Sequence, residues 1–275
     1  MSEITEVVII GAGPAGALAA KLLRQRGHEV IVLERTKFPR FSIGESLLPQ
    51  AMQFLDDADM MDDVIAGGFQ KKVGAAFFNN GLTSSFDFRE KFSDGHGTTF
   101  QVQRAKFDHI LANNAERAGA DIRYGHTVTE FERDDEELTL RVQSDSSGSY
   151  AIAPKFVLDA SGFGRVLPRL LDLERPSSFP SRVSLFTHIE DRIPEGAFNR
   201  EMIQIEVLAS NPSVWFWLIP FENGRSSIGV VARKREISHL TGGNQDVLQA
   251  LVSQSHMMRQ LLSNAEFDTA VSSLE

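Results

Sequence analysis

Val7 to Arg35 reads VVIIGAGPAGALAAKLLRQRGHEVIVLER, and its parts stand in the order of a βαβ dinucleotide-binding unit. A short apolar run ends at Gly11, after which Gly11, Gly13 and Gly16 form GxGxxG, with Pro14 and Ala15 between the last two. An Ala- and Leu-rich helix follows, then a second apolar run from Val30 to Leu33, closed by Glu34. Each part has a physical task. Gly11 permits the tight turn, Gly13 lets a pyrophosphate come close to the backbone, and Gly16 allows the helix to pack against the strand. The helix N-terminus offers N–H groups that no helical carbonyl takes up, which suits phosphate. Glu34, 23 residues after Gly11, stands where a carboxylate can accept hydrogen bonds from a ribose. The motif alone leaves NAD, NADP and FAD open.

Composition narrows the classes. A chain of 275 residues can bury one large core or two smaller ones. It has no cysteine, which excludes disulfides, cysteine-ligated zinc or iron–sulfur clusters, a thiol nucleophile and a flavin tethered through sulfur. Its formal net charge of −9 gives no electrostatic support to nonspecific nucleic-acid or anionic-membrane binding. No apolar run approaches the length of a membrane span, and the first residues are too polar for a signal peptide, so a cytoplasmic protein is expected. The seven histidines are scattered without metal-ligand spacing, and no metal is expected. Ser46 in GES and Ser161 in DASG lack the GxSxG frame of a nucleophile elbow.

Periodicity places further elements along the chain. Pro49 opens a helix carrying Met52, Phe54 and Leu55. Strands are predicted at Gly74 to Phe78, Thr83 to Phe88 and Thr98 to Gln103. RAKFDHILANNAERAG then reads as an amphipathic helix with Phe107, Ile110, Leu111 and Ala115 inward, ended by Gly119. Thr127 to Ala153 reads as a β-meander with turns at Asp134–Glu137, a solvated acidic cluster, and Ser144–Ser149. Phe156 to Ala160 reads as a buried parallel strand that ends at a second tight turn. From Ser184 to Arg233, four strand-like runs separated by Pro, Asn and Gly predict an antiparallel sheet in a second domain. Gln245 to Ser263 has the spacing of one helix.

Five segments now carry a specific resemblance: GAGPAG with Glu34, FPRFSIGESLLP, VQRAKFDHILANNA, the DASG turn and VWFWLIP. In this order they resemble FAD-dependent monooxygenases of the para-hydroxybenzoate hydroxylase fold, in particular the flavin-dependent halogenase and geranylgeranyl-reductase-like branch. The resemblance runs from about Val7 to Arg233. It implies an α/β fold of the glutathione-reductase FAD type: a Rossmann-like FAD-binding domain with a β-meander crossover, from 1-73 and 104-182. An α+β, antiparallel-sheet substrate domain would come from 74-103 and 183-275. It also implies that Gly11, Gly13, Pro14, Ala15, Gly16 and Glu34 contact the ADP half of FAD. Arg35, Arg40, Ser46, Arg104 and Val128 would add further cofactor contacts, and Asp159 to Gly162 a turn beside the flavin. The loop Phe38 to Ser46 looks like the strap that links flavin and substrate sites in halogenases.

Two segments resemble halogenases more narrowly. Lys72 in GFQKKVGAAF matches the lysine that halogenases place between flavin and substrate to hold or react with hypohalous acid. Read without the family, Lys71 and Lys72 are a solvated basic pair. Trp215 to Pro220 fits WxWxIP, and Trp215 and Trp217, the chain's two tryptophans, share a face at strand spacing. The family uses them, with Pro220, to wall off the flavin; two aromatics on one strand face are also ordinary core. The implied reaction uses reduced flavin and O2, by way of a flavin hydroperoxide, to halogenate an aromatic or carrier-bound substrate. A flavin monooxygenase, an isoprenoid reductase and a non-catalytic flavin-binding fragment stay open. With no second GxGxxG in the chain, electrons are expected from a separate flavin reductase. The family's second FAD motif, expected after WxWxIP, is not found between Arg233 and Glu275, so a C-terminally truncated or unusually short member is expected.

Overall fold

The computed structural model describes residues 2–134 and 137–275. The chain begins with β1 (Glu3–Ile10), α1 (Pro14–Gln25) and β2 (Val30–Glu34), followed by α2 (Gln50–Asp57) and α3 (Met61–Ala66). Short strands come next: β3 (Gln70–Lys72), β4 (Gly74–Asn79), β5 (Leu82–Asp87) and β6 (Thr99–Gln101). Then follow α4 (Arg104–Arg117), β7 (Asp121–Tyr124), β8 (His126–Asp134), β9 (Glu137–Ser144), β10 (Gly148–Asp159) and α5 (Val166–Leu170). The remainder consists of β11 (Val183–Glu190), β12 (Met202–Val207), β13 (Trp215–Pro220), β14 (Arg225–Ala232), α6 (Lys234–Ile237), α7 (Asn244–Gln254), α8 (His256–Leu261) and β15 (Ser272–Leu274).

These elements form two compact units. The first comprises Met1–Gly44, Met52–Gly67 and Gln103–Pro176; the second Glu45–Ala51, Gly68–Val102 and Ser177–Glu275. The expected domain limits differ from this at 45–51, 68–73, 103 and 177–182. The reason is local pairing. Leu47 N–H donates to Phe100 O, Val102 N–H donates to Glu45 O, and Gln70 to Lys72 pair antiparallel with Thr99 to Gln101.

The first unit is built on a six-stranded sheet in the order β7-β2-β1-β10-β9-β8. β1 lies between β2 and β10, parallel to both, which is why Val8 and Ile9 are fully buried. Ala12, Ala20, Val32 and Ala115 form a core on one face; Val8, Leu33, Leu140, Val142 and Ile152 form another. The predicted strand at Phe156 to Ala160 is parallel to β1, but it is not a separate buried strand. It continues β10, whose first half pairs antiparallel with β9. Its side chains alternate across the sheet, and Phe156 and Leu158 stand on the side of Val7 and Ile9, which pack with α1 and α4, but are themselves 69% and 41% exposed. The acidic turn at Asp134–Glu137 includes residues 135 and 136, which lie outside the described residues.

The second unit holds a seven-stranded sheet, β15-β11-β14-β13-β12-β4-β5. It is antiparallel except where β4 joins β12 in parallel, a pairing that an intervening crossover of more than a hundred residues permits. Leu185, Phe216, Leu218, Ile228 and Val230 pack with Leu248, Leu251 and Met258 of α7 and α8. The single helix expected over Gln245 to Ser263 is interrupted at Ser255. Its backbone turns extended there and its Oγ accepts from Met258 N–H at 2.8 Å, capping α8. The buried Glu206 carboxylate of β12 reinforces the break, taking the Ser255 hydroxyl and Met258 N–H.

Candidate functional site: a nucleotide cavity and a buried lysine

The first unit contains a cavity of about 1050 Å3, at the upper end of ligand-site sizes. It opens where β1, β2 and β10 end. Gly11, Gly13, Pro14 and Ala15 line it, as do Glu34, Arg35, Arg40, Arg104, Val128 and Gly162. Gly16 and Asp159 are not among its lining residues. A Cβ on Gly16 would stand 1.9 Å from Gly11 O, so glycine here sets the helix-to-strand distance. Gly11 has φ +99°, and a Cβ would also meet Ala160 O at 2.7 Å. Asp159 closes the second turn, taking Ser161 N–H at 2.9 Å and Leu167 N–H at 2.8 Å.

Glu34 is 6% exposed and accepts from Ala12 N–H and Thr36 N–H, both at 2.9 Å. One carboxylate thus ties the glycine turn to the end of β2 and keeps lone pairs for further donors. Asp108, fully buried and not foreseen from the sequence, organises the arginines. Arg104 donates to both its oxygens, at 2.6 and 3.0 Å, and Arg40 Nη1 stands 3.2 Å away. Arg104 also donates to Ile43 O at 2.6 Å, and Arg40 lies 4.8 Å from the Phe38 ring centre. The readable signal was the four-residue spacing of Arg104 and Asp108 on one helix.

The cavity's chemistry fits a dinucleotide diphosphate. Four arginines line it (Arg35, Arg40, Arg104 and Arg169), and α1 begins at its edge with Pro14, which has no N–H to satisfy. The space a Cβ on Gly13 would fill has only Arg40 Nη2 nearby, at 3.5 Å, which leaves room for a phosphate against the backbone.

Ser46, Lys72, Trp215, Trp217 and Pro220 belong to the second unit. Lys72 is 3% exposed while Lys71 is exposed and paired with Glu201, so the solvated-pair reading holds for Lys71 alone. Lys72 Nζ donates to Leu47 O at 2.8 Å and stands 5.1 Å from the Phe88 ring centre. Burial pushes its pKa down to about 8. Cross-strand register sets Lys72 opposite Thr99, and both Gln70 and Ser46 opposite Gln101. This face is polar and buried, and Ser46 Oγ, Thr99 Oγ1 and Gln101 Oε1 have no hydrogen-bond partner among the described residues.

Trp215 and Trp217 do share a face, their ring centres 6.0 Å apart, with Phe186 6.2 Å from Trp217. Trp217 Nε1–H donates to Ser227 Oγ at 3.2 Å. Its ring lies directly over Gly229, where a Cβ would come within 2.1 Å of it. Pro220, buried, ends the strand. Sequence reading also missed His188, whose Nε2 is 2.6 Å from Glu45 Oε1 across 143 residues of chain.

Fold and cavity together define a flavoprotein-type dinucleotide-binding protein. Residues 4–261 match the FAD binding domain family, and the chain belongs to it, with FAD as its cofactor. It is 32% identical over 246 residues to flavin-dependent halogenase rdc2 of Metacordyceps chlamydosporia, covering 83% of this chain and 46% of that protein. It is 30% identical over 241 residues to the 1H-pyrrole-2-carbonyl-(peptidyl-carrier protein) brominase of Pseudoalteromonas luteoviolacea, covering 85% and 57%. Among solved structures, a flavoprotein/dehydrogenase from Cytophaga hutchinsonii superimposes with TM-score 0.93 at 38% identity, covering 99% of this chain and 66% of that one. The chain spans about half the length of the curated relatives it matches. No helix among the described residues is long and apolar enough to cross a membrane.

Proposed function

We propose that this chain forms the flavin-binding part of an FAD-dependent oxidoreductase of the halogenase-like group, acting on an aromatic or carrier-bound substrate. The observation that carries the reading is Lys72: a buried lysine with a single backbone acceptor, at the position that resembles the halogenase lysine. Reduced FAD supplies the electrons that activate O2. Gly11, Gly13, Pro14, Ala15 and Gly16 hold its diphosphate against the start of α1, and Glu34 takes the ribose hydroxyls. Arg35, Arg40 and Arg104 would neutralise the phosphates, Val128 and Gly162 would line the cofactor cavity, and Asp159 would brace the turn that carries Gly162.

Lys72 Nζ hydrogen-bonds hypohalous acid in its ammonium form. In its neutral form it takes the halogen, forming an N–halogen bond and releasing water. A pKa of about 8 keeps both forms accessible near neutrality. Trp215, Trp217 and Pro220, which the resemblance makes the wall of the substrate pocket, would supply an apolar surface for the organic substrate. A separate reductase delivers the electrons, in a cytoplasmic setting.

The test supplies purified protein with reduced FAD, O2, bromide and an activated phenol or indole. Brominated product by mass spectrometry is expected, and Lys72→Ala should abolish it while leaving FAD binding intact. Full bromination by Lys72→Ala would remove the assigned role. A second reading, oxidation or reduction without halide, is favoured by the likeness to the Cytophaga flavoprotein/dehydrogenase. Turnover indifferent to bromide would select it.

A further inference from the structure

We infer that His126 reads the base of the bound dinucleotide, its Nε2 accepting a hydrogen bond from the 6-amino group of adenine. The inference rests on the placement of the FAD diphosphate and ribose given above and is independent of the reaction proposed there. His126 opens β8 and lines the cavity. Its Nδ1 is 2.9 Å from Tyr124 O. A backbone carbonyl only accepts, so Nδ1 carries the hydrogen whatever the charge of the ring, and in the neutral ring Nε2 is an acceptor. Nothing among the described residues hydrogen-bonds Nε2, which is left to the cavity. The Tyr150 ring stands edge-on to the imidazole, 5.8 Å between centres, and together with the Tyr124 bond it fixes the plane.

Sheet order says which part of the ligand arrives there. Next to the glycine turn at the end of β1 is the end of β2, which carries Glu34. The strand after that is β7, where Tyr124 lies opposite Glu34. Neighbouring strands stand about 4.8 Å apart, so diphosphate, ribose and base follow one another a strand at a time. Gly125, at φ +74°, then turns the chain from β7 into β8 and sets His126 beyond Tyr124. Apolar side chains gather at this end. Leu33 and Val128 line it, with Val166 and Leu170 of α5, a helix that packs on β8. Such walls take the faces of a flat purine, while its polar edge needs an acceptor, which the imidazole offers.

Hypoxanthine differs from adenine at this edge, where a carbonyl oxygen replaces the amino group. Opposite neutral Nε2 two lone pairs would then meet, and neither would be paired. The cavity should therefore prefer an adenine nucleotide to a hypoxanthine one.

The probes are ADP, IDP and inorganic diphosphate. They are titrated by calorimetry into the full chain without flavin at about pH 8, above the range in which imidazoles change charge. Wild-type protein should bind ADP about ten times more tightly than IDP. His126→Gln, whose amide can donate or accept, should bind the two nearly equally. His126→Phe should lose the preference by weakening ADP alone. Inorganic diphosphate should bind all three proteins alike, and thermal unfolding shows that the variants are folded. Equal binding of ADP and IDP by wild-type protein overturns the inference. So does an undiminished preference in folded His126→Gln protein. Absence of any ADP binding removes the placement of diphosphate and ribose as well, whereas lost bromination with the preference retained sinks only the proposed reaction and upholds His126.

Discussion

Lys72→Met should make the protein more stable at neutral pH. Methionine has nearly the same length, and its thioether needs no hydrogen bond. The lysine's ordinary value of 10.5 falls to about 8 through burial. At about 1.4 kcal/mol per pKa unit, holding the ammonium in the folded protein costs about 3 kcal/mol. Removing the side chain forfeits the hydrogen bond to Leu47 O, worth about 1 kcal/mol. A net gain of about 2 kcal/mol follows at pH 7. The sign with pH is fixed by the direction of the displacement. Between pH 8 and 10.5 the unfolded chain binds more protons at this site than the folded one, so wild-type stability rises with pH across that window. The variant's advantage is therefore largest below pH 8 and fades as pH approaches 10.5, where only the lost hydrogen bond is left. Urea unfolding of both proteins at several pH values between these limits measures the difference directly. A variant less stable than wild type at pH 7, or a difference that does not change with pH, would refute the reasoning. Confirmed together with lost halogenation, it would mark Lys72 as a site where stability is given up for chemistry.

Asp108→Ala should destabilise the first unit by roughly 3 kcal/mol, because Arg40 and Arg104 lose the carboxylate between them, and should weaken FAD binding; calorimetric unfolding with and without FAD separates the two effects. Gly16→Val should abolish the rise in melting temperature that added FAD gives wild type, since its Cβ has no room against Gly11 O. Gly229→Ala should displace the Trp217 ring and change tryptophan fluorescence, which reports only Trp215 and Trp217. Ser255→Ala removes a helix cap and leaves Glu206 one donor short, so a loss of about 1–2 kcal/mol is expected by urea unfolding.

What could be read from the residues alone was whatever depends on near neighbours in sequence. The βαβ unit, the Pro49 helix start and the inward face of α4 are patterns of three to four residues or of strand alternation, and each recurs in the structure. Ser255 escaped because the apolar spacing of α7 continues in α8, while the break comes from Glu206, contributed by β12. Phe156 and Leu158 read as core because an apolar strand looks the same in sequence whether or not neighbouring elements cover its side chains. The candidate site divides in the same way. Glycine spacing and Glu34 announce the nucleotide cavity. The His188–Glu45 pair carries no local signature, since tertiary folding alone brings the two side chains together.

β10 bears on the order in which the protein is made. Glu3 pairs with Ile152 and Ile10 with Asp159, and Ala160 N–H donates to Ile10 O at 2.9 Å. The glycine turn after β1 therefore leaves the ribosome long before the strand that braces it. Until β10 docks, β1 has one free edge, and closing so long a loop is slow. During synthesis the β1–α1 segment carries a nucleotide-binding motif before its neighbouring strand β10 exists. Flavin capture thus becomes a late event, gated by arrival of Phe156 to Ala160, and FAD supplied during translation would trap the chain only after that point.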